Sequence, residues 1–217
     1  MTPNYQRASR AAHIRVFNLA VADYTQDRHG DIVTAAFQDI NAGRAADVLE
    51  WLPRRMPLWR QSDVGLQLMG TAHKYLSKWA EGRTLLQAAR RLRQAMRDAH
   101  PDDNGLREDL SVTIIGLADI ESGDGNDVLA VDLLIEASRV APGFLVPYFN
   151  RLCIASSARD VATMLRIVEE LERDAPAFYT DSIFQTRLQQ DGELYNARKE
   201  PEVWSRLVNP TFFTQEN

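Results

Sequence analysis

The side chains able to do chemistry in this 217-residue chain are few and widely spaced. Its four histidines, His13, His29, His73 and His100, lie far apart, and no H-E-x-x-H or paired-cysteine spacing offers a metal its ligands. Cys153 is the only cysteine. It has no partner for an intramolecular disulfide, and no base for a thiolate nucleophile can be placed beside it in sequence. The acidic and glycine-rich "SGDGND" at 122–127 lacks the twelve-residue calcium-loop pattern and its terminal glutamate, so it reads as a turn. No G-x-G-x-x-G or Walker loop is present to cradle phosphates. The residues therefore nominate no catalytic, cofactor-binding or metal-ligating group, and the chain reads as a non-enzyme.

Arg83, Arg90, Arg91, Arg93 and Arg97 could suggest a nucleic-acid surface. The chain nevertheless carries a net charge of -5. Arg90, Arg93 and Arg97 also share one helical face at i, i+3, i+7, the pattern of a solvated or salt-bridged surface. The charge is unevenly placed. Residues 44–97 hold eleven Lys/Arg against four Asp/Glu, whereas residues 98–136 hold one against eleven. Such a dipolar chain could dock head to tail on copies of itself, or hold a charged partner.

The elements that must position these residues are helical almost throughout. Leu106, Leu110, Ile114 and Leu117 recur at i, i+4, i+8, i+11, and Val161, Met164, Leu165, Val168 and Leu171 do the same later. Turn clusters separate such stretches: "NAGR" at 41–44, "HPDDNG" at 100–105, "SGDGND" at 122–127 and "APGF" at 141–144. Helices of about 12–18 residues joined by short polar turns predict an all-α fold of antiparallel neighbours.

An internal period underlies the pattern. In "IIGLADIESGDGNDVLAVDLLIEASRVAP" (114–142), Ile114, Leu117-Ala118, Ala130, Leu134, Ala137 and Pro142 stand at the offsets of a tetratricopeptide repeat, which this stretch resembles. Glu121 departs from that pattern, which prefers Tyr there. A second copy, "LQLMGTAHKYLSKWAEGRTLLQAA" (66–89), places Leu66, Met69-Gly70, His73, Gly82, Leu86 and Ala89 at the same offsets. The small residues of the two helices are twelve apart in both copies, Gly70 to Gly82 and Ala118 to Ala130. Steps of 34 residues add weaker copies at Ala36, Val48 and Leu52, and at Leu152, Met164, Val168 and Pro176.

The resemblance implies about four helical hairpins over 29–176, stacked into a short right-handed superhelix. An amphipathic capping helix over 1–28, with Ala12, Val16, Leu19 and Ala20 on one side, would precede them. Capping helices and a tail over 177–217 would follow. There Leu194, Arg198, Pro201 and Trp204 resemble the endings of many bacterial tetratricopeptide proteins, and Phe212 and Phe213 are expected to tuck into the cap, the alternative being an exposed interaction motif. Pro142 is expected to end one second helix, and Pro147 to sit in the first turn of the next.

In such arrays the first helix of each hairpin lines a groove that holds a peptide. The resemblance places Val33, Thr34 and Phe37 there, with Gln67, Leu68, Thr71, Lys74 and Tyr75. Ile115, Gly116, Asp119, Phe149, Asn150 and Cys153 follow, Asn150 standing where the family often bonds the ligand backbone. The Lys/Arg clamp of chaperone-tail binders is not matched beyond Lys74. The expected function is a non-catalytic adaptor or scaffold that binds a protein or peptide partner, with no cofactor. The alternatives are a homo-oligomer assembled through complementary charge, and an all-α enzyme. The acidic balance argues against nucleic acid. The absence of a signal-like or membrane-spanning apolar run, with the single cysteine, suggests a cytoplasmic location.

Overall fold

The computed structural model describes residues 30–209. The expected N-terminal capping helix, His13, His29, Phe212 and Phe213 lie outside them. The described residues form helices and turns with no strand. We number the helices in chain order: α1 (30–41), α2 (Ala45–Arg55), α3 (Asp63–Tyr75), α4 (Trp79–Ala99) and α5 (Asn104–Gly123). They continue with α6 (Asp127–Val140), α7 (Val146–Ala158), α8 (Val161–Asp174), α9 (Ser182–Gln190) and α10 (Pro201–Val208). Short 3-10 turns at Trp59–Gln61, Pro176–Tyr179, Gly192–Tyr195 and Ala197–Lys199 link some of them.

The starts of several helices follow from single polar residues. The Ser62 hydroxyl accepts the Gly65 N–H at 3.3 Å, Asp103 accepts the Leu106 N–H at 3.2 Å, and Asp160 accepts that of Thr163 at 3.0 Å. Each satisfies a donor that the first turn leaves unpaired. Pro147 sits in the first turn of α7, where its missing N–H and fixed φ are harmless.

The chain divides into two compact units, and the boundary falls between Ala141 and Pro142, inside the span expected to be one array. In the first unit α2 packs on α3, α3 on α4, α4 on α5 and α5 on α6. α3 and α5 are buried on nearly every face, whereas α4 and α6 bury one stripe each. The reason for the close pairing of α3 and α4 is visible at Gly70 and Gly82. A Cβ at Gly70 would stand 2.8 Å from the Leu86 side chain, and one at Gly82 would stand 3.1 Å from the Gly70 carbonyl oxygen. Leu86 fills the space that Gly70 leaves and is fully buried. A residue of that size contributes about 1.5–3 kcal/mol through burial.

In the second unit α7 packs on α8 and on the 192–195 turn, and α10 packs on α8. Phe149, Phe178 and Phe184 join there, with ring centroids 5.5 Å apart for Phe149–Phe184 and 5.7 Å for Phe178–Phe184. The Tyr148 hydroxyl donates to the Pro142 carbonyl oxygen at 3.0 Å and ties the chain before α7 to the helix. The C-terminal packing differs from expectation in one respect. Leu194 is buried, and the Arg198 guanidinium donates to the carbonyl oxygens of Leu188 and Asp191, but Pro201 is exposed and Trp204 half-buried. Val203 and Leu207 form the buried face of α10, because Pro201 starts that helix on its outer side.

Candidate functional site

The residues expected to line a groove fall in both units, and each set is described within its own. In the first unit, α3 and α5 bring Gln67, Thr71, Lys74, Gly116 and Asp119 into one polar seam. The Lys74 ammonium lies 2.8 Å from the Asp119 carboxylate and 5.4 Å from the Tyr75 ring centroid. The Gln67 amide nitrogen makes a long 3.5 Å contact to the Thr71 hydroxyl. A Cβ at Gly116 would stand in ordinary contact with that nitrogen, at 3.5 Å, and would press on the Leu86 side chain at 3.0 Å. The Gln67 amide oxygen is buried and has no hydrogen-bond partner. A buried acceptor without a donor costs about 1–3 kcal/mol, so its presence calls for a reason beyond packing.

The seam is graded in exposure. Gln67, Thr71 and Lys74 are 1–3% exposed, whereas Tyr75 and Asp119 are half-buried. Phe37 and Ile115, also expected in the groove, are core residues, as are Val33 and Leu68. They pack among helices because α1, α3 and α5 present more than one apolar face.

Three polar clusters escaped the sequence reading in whole or part. Arg93, expected on a solvated face, is fully buried. Its Nε donates to Asp63 at 2.9 Å, and its Nη1 donates to the Asp109 carbonyl and the Thr113 hydroxyl, both at 2.8 Å. The signal was present: Gly82, Leu86, Ala89 and Arg93 repeat at spacings of four, three and four, and all four form the buried stripe of α4. Arg90 and Arg97 belong to its flanks, where Arg90 pairs with Glu136 at 2.5 Å and Arg97 with Asp98 at 3.0 Å.

Glu121 is buried in the place where the tetratricopeptide pattern prefers Tyr, and it accepts Arg83 through both oxygens, at 2.6 and 3.1 Å. Arg83 also reaches Asp124 at 2.7 Å. The guanidinium holds the Glu121 carboxyl below its usual range. With Lys74–Asp119 and Arg90–Glu136, these pairs join the basic stretch to the acidic one within the same unit. Three of the eleven basic residues in 44–97 are thereby paired with four of the eleven acidic residues in 98–136.

In the second unit, Phe149 and Cys153 are buried, and the Asn150 amide nitrogen is buried without an acceptor. Cys153 stands beside Asp191 and Glu193, which are 38 and 40 residues further along. Burial raises its thiol well above the usual range, and the two carboxylates push the same way. A fully buried, protonated thiol is a poor nucleophile. His73, by contrast, is half-buried on α3, and burial lowers its proton affinity, with Lys78 adding to the effect.

No family model, curated protein or solved structure gives a significant match to this chain. No helix among the described residues is long and apolar enough to cross a membrane.

Proposed function

We propose that this chain is a non-catalytic protein-interaction module, built from tetratricopeptide-like hairpins stacked in a right-handed sense, that holds an extended segment of a partner protein along α3 and α5. The observation that carries this reading is the Gln67 amide oxygen, buried on the polar seam with no donor. A backbone N–H of a partner segment is the donor it suits, since main-chain groups of an extended peptide present N–H at regular intervals. Tyr75 and Asp119 stand at the more exposed end of the seam, where they would meet the segment first.

Four further observations support it. Consecutive helices in the first unit are joined by short turns and packed as neighbours. The small residues twelve apart, Gly70 and Gly82, meet where a hairpin crossing needs them. Of the positions inferred by the 34-residue step, Ala36, Val48, Leu52, Leu152, Met164 and Val168 are fully buried, and Pro176 is exposed. Asn150 supplies a comparable unpaired group in the second unit.

The test uses the purified chain as bait in a lysate of its source organism, beside Gln67→Ala and Lys74→Ala forms of matched thermal stability. A protein retained by the parent and reduced at least tenfold with either variant supports the reading. Retention that is equal for all three forms would sink it.

A further inference from the structure

Outside the seam, the second unit gathers a thiol and two carboxylates at a place the proposed binding reading does not use. Cys153 lies on α7, and Asp191 and Glu193 flank the start of the Gly192–Tyr195 turn. One ligand-capable atom from each lies within 4.8 Å of the others. Cys153 is fully buried and Asp191 is 5% exposed. The Asp191 Oδ1 accepts the Glu193 N–H at 2.9 Å, but its Oδ2 is buried with no hydrogen-bond partner. A carboxylate oxygen in that position has lost its hydration without replacement, which is costly unless a cation takes it.

The segment is also held in place by groups other than the three. The Ser156 hydroxyl on α7 donates to the Glu193 carbonyl at 2.6 Å and accepts the Ala197 N–H at 3.1 Å. The Asn196 amide donates to the Ser156 carbonyl at 2.8 Å. Arg198 donates to the carbonyl oxygens of Leu188 and Asp191, both at 2.9 Å. The main chain that carries the two carboxylates is thus tied to α7 and to its own turn before any ligand arrives, as a preorganised metal site requires.

We propose that Cys153, Asp191 and Glu193 bind a divalent cation of the zinc class, which fastens the 191–195 segment to α7. A thiolate and two carboxylates are anionic donors, which a dication suits. The donor set selects the metal: magnesium and calcium prefer six or more oxygens, whereas a sulfur with two oxygens suits zinc. Tetrahedral bonding at about 2.1–2.3 Å places ligands roughly 3.6 Å apart, so groups within 4.8 Å of one another must close by up to about 1.2 Å. Glu193, half-buried on a short turn, can supply that movement. On binding, the thiol proton leaves to solvent as the sulfur–metal bond forms, one proton for each metal taken up. A water or another ligand would complete the fourth position.

The test is a titration of the full-length, chelator-treated chain with cobalt(II) as a spectroscopic stand-in, then displacement by zinc. The site predicts one cobalt per chain, a sulfur-to-cobalt charge-transfer band, and loss of both band and tight binding in Cys153→Ala. Asp191→Asn and Glu193→Gln should weaken binding at least tenfold, and zinc should raise the parent's melting temperature. Circular dichroism establishes that each variant is folded, and Glu193→Gln, at a half-buried position, gives a read-out should the buried variants unfold. Absence of the band in the folded parent at saturation would overturn the site. So would full cobalt binding by Cys153→Ala, which would place the metal on the histidines, or magnesium binding as tight as zinc.

Discussion

Arg93 on α4 reaches across to Asp63 at the start of α3, 2.9 Å away, and neither residue is more than 8% exposed. The same guanidinium closes on the Asp109 carbonyl and the Thr113 hydroxyl of α5, so one side chain joins three helices. Removing one member of a buried ion pair leaves the other charge uncompensated, at about 3–5 kcal/mol. Arg93→Leu is therefore expected to lower unfolding free energy by about that amount. Arg93→Lys should recover part of it, because an ammonium keeps the charge but lacks the planar fork that serves three acceptors. Urea denaturation of the parent and both variants measures this, and an Arg93→Leu form as stable as the parent would contradict the network.

The α3–α4 crossing gives a steric prediction. At Gly70 an added side chain meets Leu86 at 2.8 Å, whereas at Gly143 nothing lies within 4 Å. Overpacking costs about 1–3 kcal/mol, more than the roughly 1 kcal/mol that replacing a helical glycine can return. Gly70→Val should be clearly destabilised in urea, and Gly143→Ala should stay within about 0.5 kcal/mol of the parent. Ala118→Arg, at a buried position of α5, should unfold the first unit outright.

These positions show how far the sequence could be read. Apolar periodicity and turn chemistry located the helices, the small residues located a crossing, and Pro147 marked the start of α7. All of these are local signals. Arg93 has the charge of a solvated residue but the position of a core one, the fourth member of the Gly82, Leu86, Ala89 stripe. The approach of Asp191 and Glu193 to Cys153 joins residues 38 and 40 positions apart through a turn and a helix. Nothing in the local pattern records such a contact. The groove residues were placed by resemblance, which supplied a helix face but not its depth, so Phe37 and Ile115 proved to be core.

Alkaline pH should weaken the second unit through Tyr148. Burial raises its hydroxyl from 10.0 to about 12, and Asp174 and Glu170 reinforce the shift. The folded state therefore keeps a proton that the unfolded chain loses first. This stabilisation is complete below pH 10 and declines as pH rises from 10 towards 12. Thermal melts across that window should fall more steeply for the parent than for Tyr148→Phe, which lacks the titrating group. Equal slopes would show that the hydroxyl does not hold its proton in the folded chain.

The pairing of Lys74, Arg83 and Arg90 with Asp119, Glu121, Asp124 and Glu136 engages part of each stretch inside the chain and takes it from contacts between copies. Exposed charges feel salt strongly, with a screening length of about 10 Å at 0.1 M. Light scattering after size exclusion should thus give the same molar mass at low and high salt. A mass that falls with added salt would restore the head-to-tail assembly.

The claim at the centre of this account is that the seam of α3 and α5 receives a partner segment. Amide hydrogen exchange of the chain, alone and with the captured partner, tests it most directly. The account predicts added protection over residues 63–75 and 104–123, with loss of that protection in Gln67→Ala. Protection confined to α4 and α6, or unchanged in Gln67→Ala, would contradict it.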